Sequence, residues 1–326
     1  MSSPHTPTSA PPAIKPTSFD VGGLPIQVYG LDQLSPEPKK PLSVMFLLHG
    51  RFGSADMKLM STFASTYLEP PAGIERGDRK KDLIVVTFDQ RNHGHRTTNK
   101  MGNFGWKEGG KKRLQERREL GMQDHELDNM AHATSMVAIQ TGTAKDVSFL
   151  IDFLPCTVFP HDERKIVDWY CSGVSLGGHS TWIALTQEPR ISLGIPIIGS
   201  PSAYTLLSDR ALSLPPPSGP LTVSAPYFPA SFVDLLKKTD PDQVSLSVWK
   251  GRKLLVLSGA EDELVNFVKG GSEKFIKVLE REGNLKELDV WVQPETGHAC
   301  TPEMMSRASE FVWKHGLSSI EPAAKM

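Results

Sequence analysis

The chain has 326 residues, with 36 basic and 37 acidic side chains and a formal net charge of −1. That balance excludes a strongly basic or acidic chain, and nothing in it suggests a nucleic-acid or membrane surface. No apolar run reaches the roughly 18 to 20 residues needed to span a bilayer. The three cysteines, Cys156, Cys171 and Cys300, cannot all pair and show no zinc spacing. They read as free thiols, which points to a cytoplasmic protein.

Residues 1–17 are rich in Ser, Pro and Thr and lack the basic and apolar regions of a secretory signal. They are expected to form a disordered tail, with one domain over 18–320. Gly22-Gly23 marks a hairpin within 19–29. Residues 42–48 are almost continuously apolar, as in a strand buried on both faces, and lead into His49-Gly50-Arg51-Phe52-Gly53-Ser54. A helix follows at 57–68, then a second buried strand at 83–88. That strand ends in Asp89-Gln90-Arg91-Asn92-His93-Gly94-His95. His93 and His95 hint only weakly at a metal, with no ligand partner at suitable spacing.

The spacing of Val147, Leu150, Ile151 and Leu154 predicts a helix over 143–154. Strands are predicted at 166–170, 193–198, 253–258 and 288–292, and helices at 180–185, 269–282 and about 302–315. Strands alternating with helices define an α/β chain with a mostly parallel central sheet and helices on both faces. Two segments break the alternation. Residues 106–129 carry dense charge of both signs and read as a solvated insertion. Residues 200–249 are Pro-rich and form a lid-like insertion. Its Tyr227, Phe228 and Trp249 are candidates to bind substrate by lining an acyl pocket, with ordinary core packing as the alternative.

Between the strand at 166–170 and the helix at 180–185 lies Cys171-Ser172-Gly173-Val174-Ser175-Leu176-Gly177-Gly178-His179. Gly-x-Ser-x-Gly between a strand and a helix is the pattern of a nucleophile elbow. A serine hydroxyl needs an adjacent base, and the base needs an orienting carboxylate. Downstream of Ser175 stand only His179, His298 and His315. His179 lies one turn into the elbow helix and His315 near the end of the last helix. His298 follows the strand at 288–292, where loops at strand C-termini meet ligands, and is the candidate base. The carboxylate should follow the preceding strand, where Glu261, Asp262 and Glu263 are adjacent. Asp262 is preferred, with Glu261 or Glu263 as replacements and Asp289 a weaker rival inside a strand. Leu176 and Arg51 are the candidate backbone donors of an oxyanion hole. The Arg51 side chain could also meet a substrate carboxylate or form a surface ion pair.

Together, His49-Gly50, Asp89-Gln90-Arg91-Asn92-His93-Gly94, Gly173-Val174-Ser175-Leu176-Gly177-Gly178, Asp262 and Gly297-His298 resemble the α/β-hydrolase superfamily. Asn92 stands where many members have Gly, and Asn also tolerates the left-handed backbone such a turn needs. The resemblance has some flavour of esterases and prolyl-oligopeptidase-type peptidases. It implies a carboxylic-ester hydrolase acting on a small acyl substrate, with a thioesterase, amidase or peptidase as the alternative. It implies no cofactor and no metal. A binding protein on a hydrolase scaffold is the non-enzymatic alternative. Substrate and oligomeric state are not readable from these residues.

Overall fold

A computed structural model describes residues 14–36, 39–107, 118–119, 121, 129–215 and 219–318. Its elements in chain order are β1 (Thr17–Val21), β2 (Leu24–Tyr29), β3 (Leu42–Leu48), α1 (Lys58–Leu68), β4 (Asp82–Phe88), α2 (His132–Val158) and β5 (Ile166–Val174). Then come α3 (Leu176–Gln187), β6 (Ile191–Ile197), α4 (Ala203–Leu212), α5 (Ala230–Thr239), β7 (Lys253–Gly259), α6 (Ser272–Glu282), β8 (Glu287–Gln293) and α7 (Pro302–Phe311).

The eight strands make one sheet in the order β1-β2-β4-β3-β5-β6-β7-β8. β2 pairs antiparallel with both β1 and β4, and the remaining pairs are parallel. β3 and β4 are buried at every position, as continuous apolar runs demand. Alternate residues of β3 serve opposite layers. Val44, Phe46 and Leu48 face the layer holding Val147, Leu150 and Leu154 of α2 and Trp182 of α3. Met45 and Leu47 face Met60, Phe63 and Tyr67 of α1 and Met304 and Phe311 of α7.

The predicted elements are present, but several bounds move. α2 runs 27 residues, far beyond the expected 143–154. Its upstream part buries His132, Gln140 and Thr143, so the apolar period is masked there. β5 continues to Val174 and α3 begins at Leu176 rather than 180, because glycines and serines carry the close packing at that junction. α6 starts at Ser272, behind Gly271 at φ 85°. The last helix passes at Val312 into a π-helical turn, Val312–Leu317. Residues 1–13 of the expected tail and most of 106–129 lie outside the described residues, while Thr17 is already paired with Val28.

The segment after β6 makes its own satellite core. Leu207, Ala211, Phe228, Phe232 and Leu236 pack against Trp106 and against Ala133 and Val137 at the start of α2. Trp249 is not in that cluster. It is fully buried in the main core, edge-on to Trp182 and Phe275 at 5.6 Å from each. Trp249→Ala is therefore expected to lower the unfolding free energy by about 3–5 kcal/mol, as large-to-small core changes do. Urea denaturation measures this, and a loss below about 1 kcal/mol would contradict the core placement.

Candidate active site

Val174 is the last residue of β5 and Leu176 the first of α3, so the chain turns on Ser175 alone. Ser175 takes φ 55° and ψ −109°, a backbone region that costs a non-glycine residue about 1–3 kcal/mol. Its N–H donates to the Ile197 carbonyl at 2.9 Å, which ties the turn to β6. A Cβ at Gly173 would run into the Gly177 carbonyl, and one at Gly177 would run into the Leu48 carbonyl. Glycine at both places lets α3 lie against the ends of β5 and β3.

The loops after β7 and β8 are tied together by Ala260 N–H to the Gln293 carbonyl and Glu261 N–H to the Thr296 carbonyl, both 2.9 Å. They bring His298 Nε2 to 2.8 Å from Ser175 Oγ, and His298 Nδ1 to 2.7 Å from Asp262 Oδ2. Asp262 is wholly buried, and its Oδ1 accepts from the N–H groups of Leu264 (2.9 Å) and Val265 (2.7 Å). Burial opposes ionisation of Asp262, but the bonds from His298, Val265 and Leu264 outweigh it and hold the carboxyl below its usual range. An ionised carboxylate only accepts, so Nδ1 carries the imidazole proton and Nε2 is left to accept from the serine hydroxyl. Glu261 and Glu263 are exposed, and Asp289 is exposed on β8. Among these four carboxylates, only Asp262 is bonded to His298.

The loop after β3 closes the other side. Its His49 carbonyl accepts from Gly177 N–H at 3.1 Å, so loop and elbow helix are directly bonded. Leu176 is buried against Met136 and Ile139. The Arg51 guanidinium donates to the Asn103 carbonyl at 3.3 Å and lies over the Phe52 ring, 4.8 Å from its centroid. Asp89 holds this loop through Ala55 N–H (2.8 Å) and holds its own turn through His95 N–H (2.7 Å). Asn92 adopts φ 58°, the left-handed conformation anticipated for it. His93 Nδ1 lies 3.0 Å from the Arg91 carbonyl, and His95 Nδ1 lies 3.1 Å from Asp89. Among the described residues, no group of three or more His, Cys, Asp or Glu could hold a metal ion.

A cavity of about 360 Å³ opens over Ser175 and His298, beside Arg51 and Phe52. Its apolar wall includes Met57, Leu59, Ile198 and Cys300. Tyr227, Phe228 and Trp249 do not line it. Phe228 and Tyr227 belong to the satellite core and Trp249 to the main core, where their apolar area is buried against other side chains. Met57, Leu59 and Cys300 carried no motif in the sequence. Cys300 stands two residues beyond His298, a proximity that could have pointed to it. His179 is bonded to Ser200 N–H at 3.0 Å, and His315 Nδ1 lies 3.5 Å from Glu287.

No protein-family model matches the sequence, and no curated protein matches it in sequence. Solved structures do match. TT1662 from Thermus thermophilus aligns over 93% of this chain and 99% of its own, at 18% identity and TM-score 0.58. An acylaminoacyl peptidase from Pyrococcus horikoshii aligns over 96% of this chain but only 44% of its own, at 15% identity and TM-score 0.57. Est1E from Butyrivibrio proteoclasticus, solved with ferulic acid bound, aligns over 91% of this chain and 96% of its own, at 15% identity and TM-score 0.51. What is shared at such identities is architecture: the chain has the α/β-hydrolase fold. Among the described residues, no helix is long and apolar enough to cross a membrane.

Two buried histidines brace the site and give it a pH signature. Burial lowers His49 and His179 from 6.5 to about 4 each. Unfolded, both would bind protons below their ordinary pKa near 6.5, while folded they stay neutral down to about 4. The unfolded state thus gains protons first, so stability is full above that upper value and is lost as pH falls through the window. Each histidine should contribute a slope approaching about 1.4 kcal/mol per pH unit there. Urea midpoints across the window should flatten in His179→Gln, and an unchanged slope would contradict this account.

Proposed function

We propose that this chain is a serine hydrolase that cleaves a carboxylic ester. The observation that carries the reading is the hydrogen-bonded series Asp262–His298–Ser175 at the floor of the cavity. In this reading Ser175 Oγ attacks the substrate carbonyl carbon as its proton passes to His298 Nε2. Asp262 stabilises the imidazolium through the Nδ1–H bond. The carbonyl oxygen becomes an oxyanion and accepts from the backbone N–H groups of Leu176 and Arg51. Collapse expels the alcohol, which takes the proton from His298 and leaves Ser175 acylated. Water then attacks the acyl group, gives a proton to His298, and the carboxylic acid departs as that proton returns to Ser175.

An amide substrate is the second reading, supported by the likeness to an acylaminoacyl peptidase, with a thioester as the further alternative. Matched ester, thioester and anilide substrates separate them. Ester preference supports the first reading, and anilide or thioester preference replaces it.

A fluorophosphonate is expected to label the protein at Ser175, and Ser175→Ala to abolish both label and esterase activity. Retained activity in Ser175→Ala would overturn the reading and leave the binding-protein alternative for this scaffold. Asp262→Asn would favour the wrong imidazole tautomer, so kcat is expected to fall by about 10⁴ while the fluorophosphonate site remains present. Steady-state kinetics on a p-nitrophenyl ester reads the loss, and a drop below about tenfold would remove Asp262 from the role.

A further inference from the structure

Gln90 follows β4 and is fully buried, with no contact to the cavity. Buried amide groups need partners, and those of Gln90 converge on two segments of the site. Its side-chain Nε2 donates to the His49 carbonyl. Its backbone N–H donates to His49 Nε2 at 3.0 Å. Its Oε1 lies 3.1 Å from Ser180 Oγ, and the same hydroxyl lies 3.1 Å from the Leu176 carbonyl, so the Ser180 proton serves both acceptors.

These bonds fix two successive peptide groups. The His49 carbonyl takes one donor from Gln90 and one from Gly177, filling both lone pairs. Because a backbone N–H can only donate, His49 Nε2 must accept, so Nδ1 carries the ring proton. That Nδ1–H donates to the Gly50 carbonyl at 2.8 Å, which also accepts from Gly53 N–H at 3.1 Å. In a planar trans peptide the N–H lies opposite the C=O, so holding the Gly50 carbonyl aims the N–H of Arg51. The low pKa of buried His49 agrees with a neutral, single-tautomer ring.

We propose that the Gln90 side chain is a positioning group that sets the oxyanion donor of the loop after β3, by holding the His49 carbonyl against the elbow helix. This rests on the serine-hydrolase reading above. Gln90 touches no reacting atom, so its effect appears only where oxyanion charge develops.

Gln90→Met keeps length and shape, removes both side-chain hydrogen-bonding groups and leaves the backbone bond to His49 Nε2 in place, so it reads the side-chain contribution alone. On a p-nitrophenyl ester its kcat is expected to fall about 10- to 100-fold with KM within about twofold. Affinity for a trifluoromethyl ketone, which adds to the serine as an anionic hemiketal, should weaken by the same factor. Fluorophosphonate should still label Ser175, and the urea midpoint should show a folded protein. Gln90→Asn keeps a polar group in the buried site but is one methylene short, and carries the same expectation should Gln90→Met not fold. Ser180→Ala leaves the His49 bonds in place and should lose less than about threefold in kcat. Wild-type kcat and inhibitor affinity in folded Gln90→Met or Gln90→Asn would overturn the proposal, as would a loss confined to KM. A wild-type protein that neither hydrolyses esters nor takes the label would instead sink the serine-hydrolase reading, and this inference with it.

Discussion

A serine held in a backbone conformation that side-chain-bearing residues avoid is the constraint on which the rest of the site depends. The strain at Ser175 persists because both neighbouring strands hold the turn. β6 accepts the Ser175 N–H, and the loop after β3 accepts the Gly177 N–H. Gly173 and Gly177 let those backbones come close enough to do so. The parallel order of β3, β5, β6, β7 and β8 then delivers the following loops to the same edge. Ser175 Oγ therefore meets His298 without any side chain in the intervening strands having to reach it.

The acid side of the site is a balance between burial and hydrogen bonding. A carboxylate with no solvent contact would be neutral unless its charge were matched. Asp262 is matched by an imidazole N–H on one oxygen and two backbone N–H groups on the other. The same donors that keep it charged also fix its orientation, so His298 has one tautomer and one direction. Glu261 and Glu263, one residue to either side, are exposed and contribute no bond to His298.

The sheet was legible because its central strands are buried on both faces and therefore read as unbroken apolar runs. The tight turn at Ser175 was legible because its close backbone packing needs glycine at set positions around it. The full length of α2 was not, since its first half buries His132, Gln140 and Thr143 and breaks the apolar period. The aromatic residues Tyr227, Phe228 and Trp249 do not mark the pocket wall. Phe228 and Trp249 signal burial, and burial is satisfied equally well by a satellite core or by Trp182 and Phe275. The wall at the cavity comes from three separate segments, Met57 and Leu59 at the start of α1, Ile198 after β6 and Cys300 after β8, and no local spacing unites them. The role of Gln90 was equally hidden, because its partners lie 41 and 90 residues away.

The separation of cavity from satellite core decides where selectivity can reside. Phe228 and Phe232 spend their apolar surface on Trp106 and Val137, so the 200–249 segment supports its own packing before any substrate arrives. On the hydrolase reading, acyl size would then be judged by the start of α1 and by the loop carrying His298 and Cys300. An apolar wall of this kind discriminates weakly, since each methylene accommodated adds only about 0.8 kcal/mol. Sharper discrimination needs a polar group that the wrong substrate would leave unpaired. Apart from Ser175 and His298, the polar side chain at this cavity is Arg51, in the loop after β3. On the hydrolase reading, the loop that stabilises the developing charge and the side chain able to tell one ester from another are therefore the same short segment.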